Sequence, residues 1–264
     1  MWKVMGIIDN FKIYSLASGS KGNCLLVTAG ETKILVDMGI SCRKLQSKLA
    51  EIGCAIGDLT GVVITHEHQD HVAGLRVFMK NYDINVFAKN NTWRGMKCWG
   101  ELRRNFCQVL PETMLLGQVV VDSFAIPHDA AEPVGFNFNW GNKKCSVVTD
   151  IGFPSNLIKE KLRNTDYLVL ESNHDLEMLN TGFYPEVLKQ RIKSNRGHLS
   201  NVDAGWLLNE LVADKPMRVL LAHLSQENNL PSLALNTVAE ILKKQDNRHK
   251  IDLKVASQEK IVIL

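Results

Sequence analysis

The feature that most constrains this chain is the run Thr65-His66-Glu67-His68-Gln69-Asp70-His71, which packs three imidazoles and two carboxylates into six consecutive positions. It follows the apolar stretch "GVVIT", which reads as a buried strand, and opens "HVAGLRVFMKNY", which reads as a helix. Side chains alternate in an extended segment, so His66 and His68 point one way and Glu67 the other. With a helix beginning near Asp70, the side chains of Asp70 and His71 sit at its start and face a neighbouring position. The spacing suggests two adjacent metals, one taking His66 and His68 and the other Asp70 and His71.

Imidazoles and carboxylates suit zinc, manganese or iron, and the absence of nearby thiolates argues against a closed structural zinc site. Open coordination positions imply catalysis. The plain alternative is a surface loop with fortuitous histidines, which the fixed offsets make improbable. A dinuclear site needs further ligands, best hung from rigid strand ends. His128 follows "VDSFAIP", Asp150 ends "CSVVTD" and His223 follows "RVLLA". Each alone is more often a hydrogen-bonded loop residue than a ligand; as a set with His66 to His71 they read as ligands.

At 264 residues the chain is long for one domain and short for two, and a single domain over 1–264 is expected. A 45% hydrophobic, 22% charged composition is that of a soluble globular protein, and a net charge of +3 leaves any affinity for an anionic polymer to local patches. The opening "MWKVMGIIDNFK" has an apolar stretch too short for a signal peptide, and no run has membrane-span length. A cytoplasmic protein without a membrane partner is expected. The six cysteines form no Cys-x-x-Cys pair and read as reduced, packed thiols. "KIYSL", "CLLVTAG" and "TKILVDMG" predict an antiparallel meander, and "SCRKLQSKLAEIG" a helix capped by Ser41 and ended at Gly53. Strands are expected in "VVVDSFAIP", "VGFNFNW", "KCSVVTD", "DYLVLES", "MRVLLAH" and "DLKVA", with helices over 184–193, 200–213 and 231–244. Helices distributed through both halves suggest sheet packed on sheet with helices outside.

In order, Asp37 in "ILVDMG", the His-x-His-x-Asp-His run, His128, Asp150 and His223 resemble the motifs of the metallo-β-lactamase fold superfamily across most of the chain. The resemblance implies an α+β fold, a four-layer αββα sandwich, with two divalent metal ions in a cleft at one edge. By position it gives His66, His68 and His128 to the first metal and Asp70, His71 and His223 to the second, with Asp150 bridging. Asp37 would steady the histidine loop from behind. Glu171 in "VLESNHD" and His198 in "GHLSN" resemble the nuclease branch, where in ribonuclease Z such a pair protonates the leaving group. By that resemblance His198 is the general acid, Glu171 its orienting partner, and Asp70 serves catalysis as well as the metal. The departure is local, since "ESNHD" and "HLS" stand where ribonuclease Z has Glu-Ala-Thr and His-Ser-Thr. "SLASGSKGN", "THEHQDHVAGL", "ESNHD", "GHLSN" and "LAHLSQENN" are similar to the YycJ/WalJ (VicX) group, regarded as DNA exonucleases or phosphodiesterases. Nucleic acid, DNA foremost, is then the implied partner.

Several residues are open to two readings. Ser18, Ser20 and Asn23 in "SGSKGN" could form an anion-binding nest of backbone amides or a plain glycine hairpin turn. His174 could touch a substrate phosphate or, more often for such a residue, cap a helix. The stretch 89–106, "KNNTWRGMKCWGELRRNF", interleaves basic and aromatic residues and could grip a strand, although an amphipathic helix with core aromatics is the commoner meaning. Lys243, Lys244, Arg248 and Lys250 read as a solvated helix end. A β-lactam hydrolase would be exported and commonly carries cysteine where Asp150 stands, a glyoxalase-type thioesterase ends differently, and the β-CASP clamp has no room between Asp150 and His223. The rival enzyme is a phosphodiesterase for a cyclic nucleotide or phosphonate ester using the same metals. A binding module without catalysis is the different-class alternative, which a complete ligand set disfavours.

Overall fold

The computed structural model describes residues 11–212, 215–247 and 250–264. The apolar opening stretch and Arg248 lie outside these residues. The first half runs β1 (Phe11–Ala17), β2 (Cys24–Ala29), β3 (Thr32–Val36), α1 (Cys42–Glu51), β4 (Gly61–Val63), α2 (Gln69–Val72) and α3 (Leu75–Asn81). It continues through β5 (Val86–Ala88), α4 (Asn90–Gly95) and β6 (Cys107–Val109). The second half begins with β7 (Thr113–Leu116), β8 (Val119–Ala125), β9 (Val134–Trp140), β10 (Lys143–Val148), α5 (Asn156–Leu162) and β11 (Tyr167–Glu171). Next come α6 (Leu176–Thr181), α7 (Glu186–Lys193), α8 (Asn201–Leu211), β12 (Met217–Ala222), α9 (Pro231–Lys244), β13 (Ile251–Val255) and β14 (Val262–Ile263).

Two mixed sheets face each other, in the orders β14-β1-β2-β3-β4-β5-β6 and β13-β12-β11-β10-β9-β8-β7. Each combines an antiparallel meander with three parallel steps, from β3 to β6 in the first sheet and from β10 to β13 in the second. Alternation along each strand decides the layers. Leu25, Val27, Ile34 and Val36 face inward onto Phe136, Phe138, Val147, Val169 and Leu220 of the opposite sheet. Leu26 and Leu35 face outward onto Leu45, Leu49 and Phe78 of α1 and α3. Leu168, Leu170, Val219 and Leu221 do the same beneath α5, α8 and α9. Because both faces of these strands are buried, they read as nearly unbroken apolar runs. The result is the α+β, four-layer αββα sandwich that the resemblance implies. Among the described residues no helix is long and apolar enough to cross a membrane.

Three local expectations change. The helix read over 71–82 is broken into α2 and α3, because the Gly74 N–H donates to Met38 O (2.9 Å) and the His71 carbonyl accepts from Met38 N (2.8 Å), taking both out of the helix ladder; a Cβ on Gly74 would overlap Ile40 O and forbid the approach. The stretch 89–106 is α4 followed by short 3-10 turns, with Trp93 stacked on Trp99 at 5.5 Å and the Arg104 guanidinium over Trp99 at 3.1 Å. Its aromatics therefore pack against the protein rather than standing free to stack bases. The short helices α5 and α6 carry no strong sequence pattern and were not expected. Ser41 does cap α1, accepting from Lys44 N at 3.2 Å, and Gly53 follows its end with φ +70°.

At the edge where the strands of the first sheet end, backbone alone laces three loops together. Asn23 N donates to Asp70 O (2.7 Å), Gly39 N to Asn23 O (2.9 Å) and Met38 N to His71 O (2.8 Å). A Cβ on Gly39 would overlap Asp70 O. Gly39→Ala is expected to cost about 1–3 kcal/mol and lower Tm by about 3–10 °C, read by thermal unfolding of the purified variant. An unchanged Tm would show that the loops can part without loss.

Candidate active site

Strand ends deliver the site. Of five non-glycine residues with positive φ among those described, three are Asp37 (63°), Asp150 (58°) and His223 (56°), each just beyond β3, β10 and β12. A non-glycine residue in the left-handed region is strained, and such strain persists where surrounding bonds over-determine it. Those bonds are present. The His223 backbone is held at both ends, its N–H donating to Ser18 Oγ (2.8 Å) and its carbonyl accepting from Asn173 Nδ2 (2.9 Å). The buried Asp37 carboxylate accepts from Thr65 N (2.8 Å), Thr65 Oγ1 (2.8 Å) and His71 Nδ1 (2.7 Å), and so fixes the histidine loop.

The same bonds decide which nitrogen each ring presents. His71 Nδ1 is committed to Asp37, His128 Nδ1 to Gly197 O (3.2 Å) and His223 Nδ1 to Glu171 Oε1 (2.9 Å). Thr65 Oγ1 spends its proton on Asp37 and so accepts from His66 Nδ1 at 3.0 Å. In all four rings Nε2 is left to face the centre, the arrangement in which an anchored imidazole offers its lone pair to a cation. His68 brings Nδ1 to within 3.2 Å of His128 Nε2. Two ring nitrogens at that distance can share either a proton or a cation.

Two triads result. Donor atoms of His66, His68 and His128 lie within 4.8 Å of one another, as do those of Asp70, His71 and His223. A third set of the same span, His66, His71 and Asp150, joins them. The buried His66 Nε2 has no hydrogen-bond partner, and Asp150 Oδ2 has only an ion-pair contact with His71 Nε2 at 3.3 Å. Orphaned buried polar atoms are rare, and a convergent set of donor atoms around the His66 orphan fits divalent cations. Glu171 also lies near Asp150, His198 and His223, but both its oxygens are spoken for. Oε1 accepts from His198 Nδ1 (2.8 Å) and His223 Nδ1 (2.9 Å), and Oε2 from Ile151 N (2.9 Å) and Leu199 N (3.0 Å). It orients two imidazoles rather than offering a ligand.

Electrostatics follow from four carboxylates gathered among these rings. Burial opposes ionisation of Asp70, yet His71 and His223 hold its carboxyl well below the ordinary range. Burial likewise opposes a charge on His223, but Asp150, Asp70 and Glu171 outweigh it and raise its pKa to about 10. His71 is raised in the same way by Asp150, Asp37 and Asp70. His198 is raised despite burial, through Glu171 and then Asp150. His66 and His128 are lowered, chiefly by burial.

The floor opens into a cleft of about 400 Å³ lined by His68, Asp70, Asp150, His198 and His223, with Ser20 on one side. The other residues read as an anion nest serve the scaffold instead. Asn23 Oδ1 accepts from Gly19 N (2.9 Å), and its amide donates to Asp70 Oδ2 (3.2 Å). Ser18 anchors His223, and the amides of Ser18, Gly19, Lys21, Gly22 and Asn23 all donate within the protein. His174 is buried, does not line the cleft and is not the cap of α6. That role belongs to Asp175, which accepts from Glu177 N and Met178 N. Burial pushes the His174 ring down to about 4, and its Nδ1 has no partner. Sequence reasoning missed Thr65, Asn173, Asp129 beside His128, and the wall residues Tyr184 and Arg191. Asn173 stands inside "ESNHD" and Asp129 directly after His128, so position beside a ligand was the available signal.

Because the metal-free site keeps protons on His71 and His223 at neutral pH, divalent cations must displace them. Titration calorimetry of the metal-free protein with zinc at pH 7.5, in buffers of different ionisation enthalpy, is expected to show release of about one to two protons per chain. Heats independent of buffer would contradict the charge balance. The sign for stability follows from the raised His223 value. In the metal-free protein its contribution is full below the ordinary pKa of about 6.5 and is lost as pH rises through about 10.

Residues 17–170 match the family described as "Metallo-beta-lactamase superfamily". The chain is 38% identical over 233 residues to "Exodeoxyribonuclease YycJ" of Bacillus anthracis, covering 87% of this chain and 88% of that protein. It is 36% identical over 250 residues to "Exodeoxyribonuclease WalJ" of Streptococcus pneumoniae serotype 2, covering 93% of each. Its fold is similar to the crystal structure of the metallo-beta-lactamase fold protein YhfI from Bacillus subtilis, with a TM-score of 0.71 at 16% identity over 96% of this chain and 99% of that one. Matched across more than half its length in sequence and nearly all of it in fold, this chain belongs to the metallo-beta-lactamase superfamily.

Proposed function

We propose that this chain is a phosphodiesterase that shortens DNA from an end, working as one domain over residues 1–264 with two divalent cations, zinc or manganese foremost. His66, His68 and His128 would hold one cation, Asp70, His71 and His223 the other, and Asp150 both. The observation that carries the reading is the His198–Glu171 pair, in which a buried Glu171 holds a His198 that lines the same cleft as Asp70 and His223. Two relatives named exodeoxyribonucleases, at 38% and 36% identity, support the choice of substrate. Six free thiols suit a reducing compartment, and we place the reaction in the cytoplasm.

Divalent cations at such a site supply hydroxide at neutral pH and neutralise the nonbridging phosphate oxygens. The protein's own groups do the rest. Asp70, anionic and part exposed at the cleft, orients the attacking water against phosphorus. His198 has its Nδ1 tied to Glu171, so Nε2 is the nitrogen free to hand a proton to the departing sugar oxygen. Glu171 and then Asp150 outweigh burial and raise its pKa, which favours the protonated form that such a donor needs. Asp37 and Glu171 act through the rings they hold.

A sugar alkoxide needs protonation to leave, whereas p-nitrophenolate does not. His198→Ala is therefore expected to slow shortening of end-labelled DNA by about 10²- to 10⁴-fold and hydrolysis of bis(p-nitrophenyl) phosphate much less. Asp70→Ala is expected to abolish both. Equal losses on the two substrates would remove the general-acid role. Hydrolysis of the ester by a wild-type protein that shortens neither DNA nor RNA would sink the nuclease reading and leave the small-ester one.

A further inference from the structure

Behind the cleft the protein buries a polar cluster that neither triad uses: Ser172, Asn201 and Asn229. Ser172 follows Glu171, Asn201 opens α8 just after His198, and Asn229 stands in the loop between His223 and α9. The two amides pair reciprocally, Asn201 Nδ2 donating to Asn229 Oδ1 (3.0 Å) and Asn229 Nδ2 to Asn201 Oδ1 (2.9 Å). Asn229 Oδ1 also accepts from Leu230 N (2.9 Å), and its Nδ2 reaches Ser172 O (2.9 Å) and Asn173 O (3.0 Å). A backbone N–H can only donate and a carbonyl only accept, so these contacts fix which way round the Asn229 amide sits. Ser172 Oγ completes the cluster by donating to Asn201 Oδ1 (2.6 Å).

These bonds grip the backbone that carries the proton-transfer pair. Residues 172–174 run between two neighbours. On one side Asn173 N donates to Leu199 O (2.8 Å) and Asn201 N to His174 O (2.9 Å). On the other, Ser172 N donates to Ala222 O (3.0 Å) and Ser225 N to Asn173 O (2.8 Å). The amide pair therefore joins three segments whose side chains must meet at Glu171, since that carboxylate takes the Nδ1 protons of both His198 and His223. A buried polar cluster adds little stability over an apolar one of the same shape, but with every atom satisfied it admits a single arrangement.

We propose that Asn229, through its pairing with Asn201 and its hold on Ser172 and Asn173, is a positioning residue for proton delivery by His198. This rests on the general-acid role given to His198 and adds to it the group that sets where the ring stands. Asn229 is buried and does not line the cleft, so it acts through the backbone it holds. Without its amide, residues 172–174 and 199–201 are free to shift against each other. A proton donor displaced by about an ångström loses its line to the departing sugar oxygen. Hydrolysis of an ester with p-nitrophenolate as leaving group needs no such proton and is insensitive to that shift.

The test is a double-mutant cycle on the metal-loaded protein: wild type, Asn229→Ala, His198→Ala and the two combined. Beside them stand Ser172→Ala, which removes one bond of the cluster, and Val238→Ala, which truncates a buried residue of α9 outside it. Each is assayed below its own Tm on end-labelled DNA and on bis(p-nitrophenyl) phosphate. Asn229→Ala is expected to lower kcat on DNA about tenfold or more and on the ester far less, with no further loss where His198 is already replaced. Ser172→Ala should shift the ratio of the two rates in the same direction by less, and it decides the matter if Asn229→Ala does not fold. Val238→Ala should lower Tm and keep the wild-type ratio. In a crystal structure of Asn229→Ala, or of Ser172→Ala in its place, the Glu171–His198 contact of 2.8 Å should be lengthened or lost. Equal losses on both substrates, losses that multiply with those of His198→Ala, or an unchanged contact would overturn the positioning role. If His198→Ala separates the two substrates and neither cluster variant does, that role alone has failed. If His198→Ala slows both substrates equally, or wild type shortens no DNA, the general-acid reading has failed and the role of Asn229 with it.

Discussion

The structure turns on one electrostatic constraint: four carboxylates, Asp37, Asp70, Asp150 and Glu171, share a small space with six imidazoles at the edge of the sandwich. Anions taken out of water need compensating positive charge nearby, as protons or as metal ions. Five of the six rings have one nitrogen tied. Asp37 holds His71, Thr65 holds His66, Gly197 holds His128, and Glu171 holds both His198 and His223. Of the nitrogens that remain, His128 Nε2 lies 3.2 Å from His68 Nδ1, and His71 Nε2 and His223 Nε2 lie 3.3 and 3.2 Å from Asp70 Oδ2, a cluster able to hold metal ions.

That constraint explains why the backbone is strained where it is. A strand delivers side chains alternately to its two faces, whereas a ligand must point off the strand's end. The left-handed turns at Asp37, Asp150 and His223 make that change of direction within one residue. Two of these turns sit on the second sheet and one on the first, so closing the sandwich and assembling the site are the same event. The lacing of Asn23, Gly39 and Asp70 then leaves little freedom in the loop that carries Asp70 and His71.

Much of this could be read from residue order. The fixed offsets of His66, His68, Asp70 and His71 and the placement of His128, Asp150 and His223 after apolar runs pointed to ligands, because strand ends are recognisable locally. The apolar runs of β2, β3 and β10 to β12 pointed to layers. What escaped depends on contacts between distant segments. Nothing near Gly74 announces that the Met38 backbone will take its N–H and the His71 carbonyl and so split a helix. The roles of Ser18 and Asn23 emerge only once β1, β12 and α2 meet, and a nest of free amides is otherwise a fair reading of "SGSKGN". Glu171 looks from sequence like a partner of His198, but its grip on His223 needs β11 and β12 side by side.

The account stands on two cations sharing this cluster, and the most direct measurement is elemental analysis of metal bound per chain in wild type and in Asp150→Ala, after gel filtration without added metal. About two divalent ions per wild-type chain, falling to one or fewer when the carboxylate facing both triads is removed, is the predicted result. A wild-type protein that shortens DNA at full rate while carrying no divalent metal would contradict it.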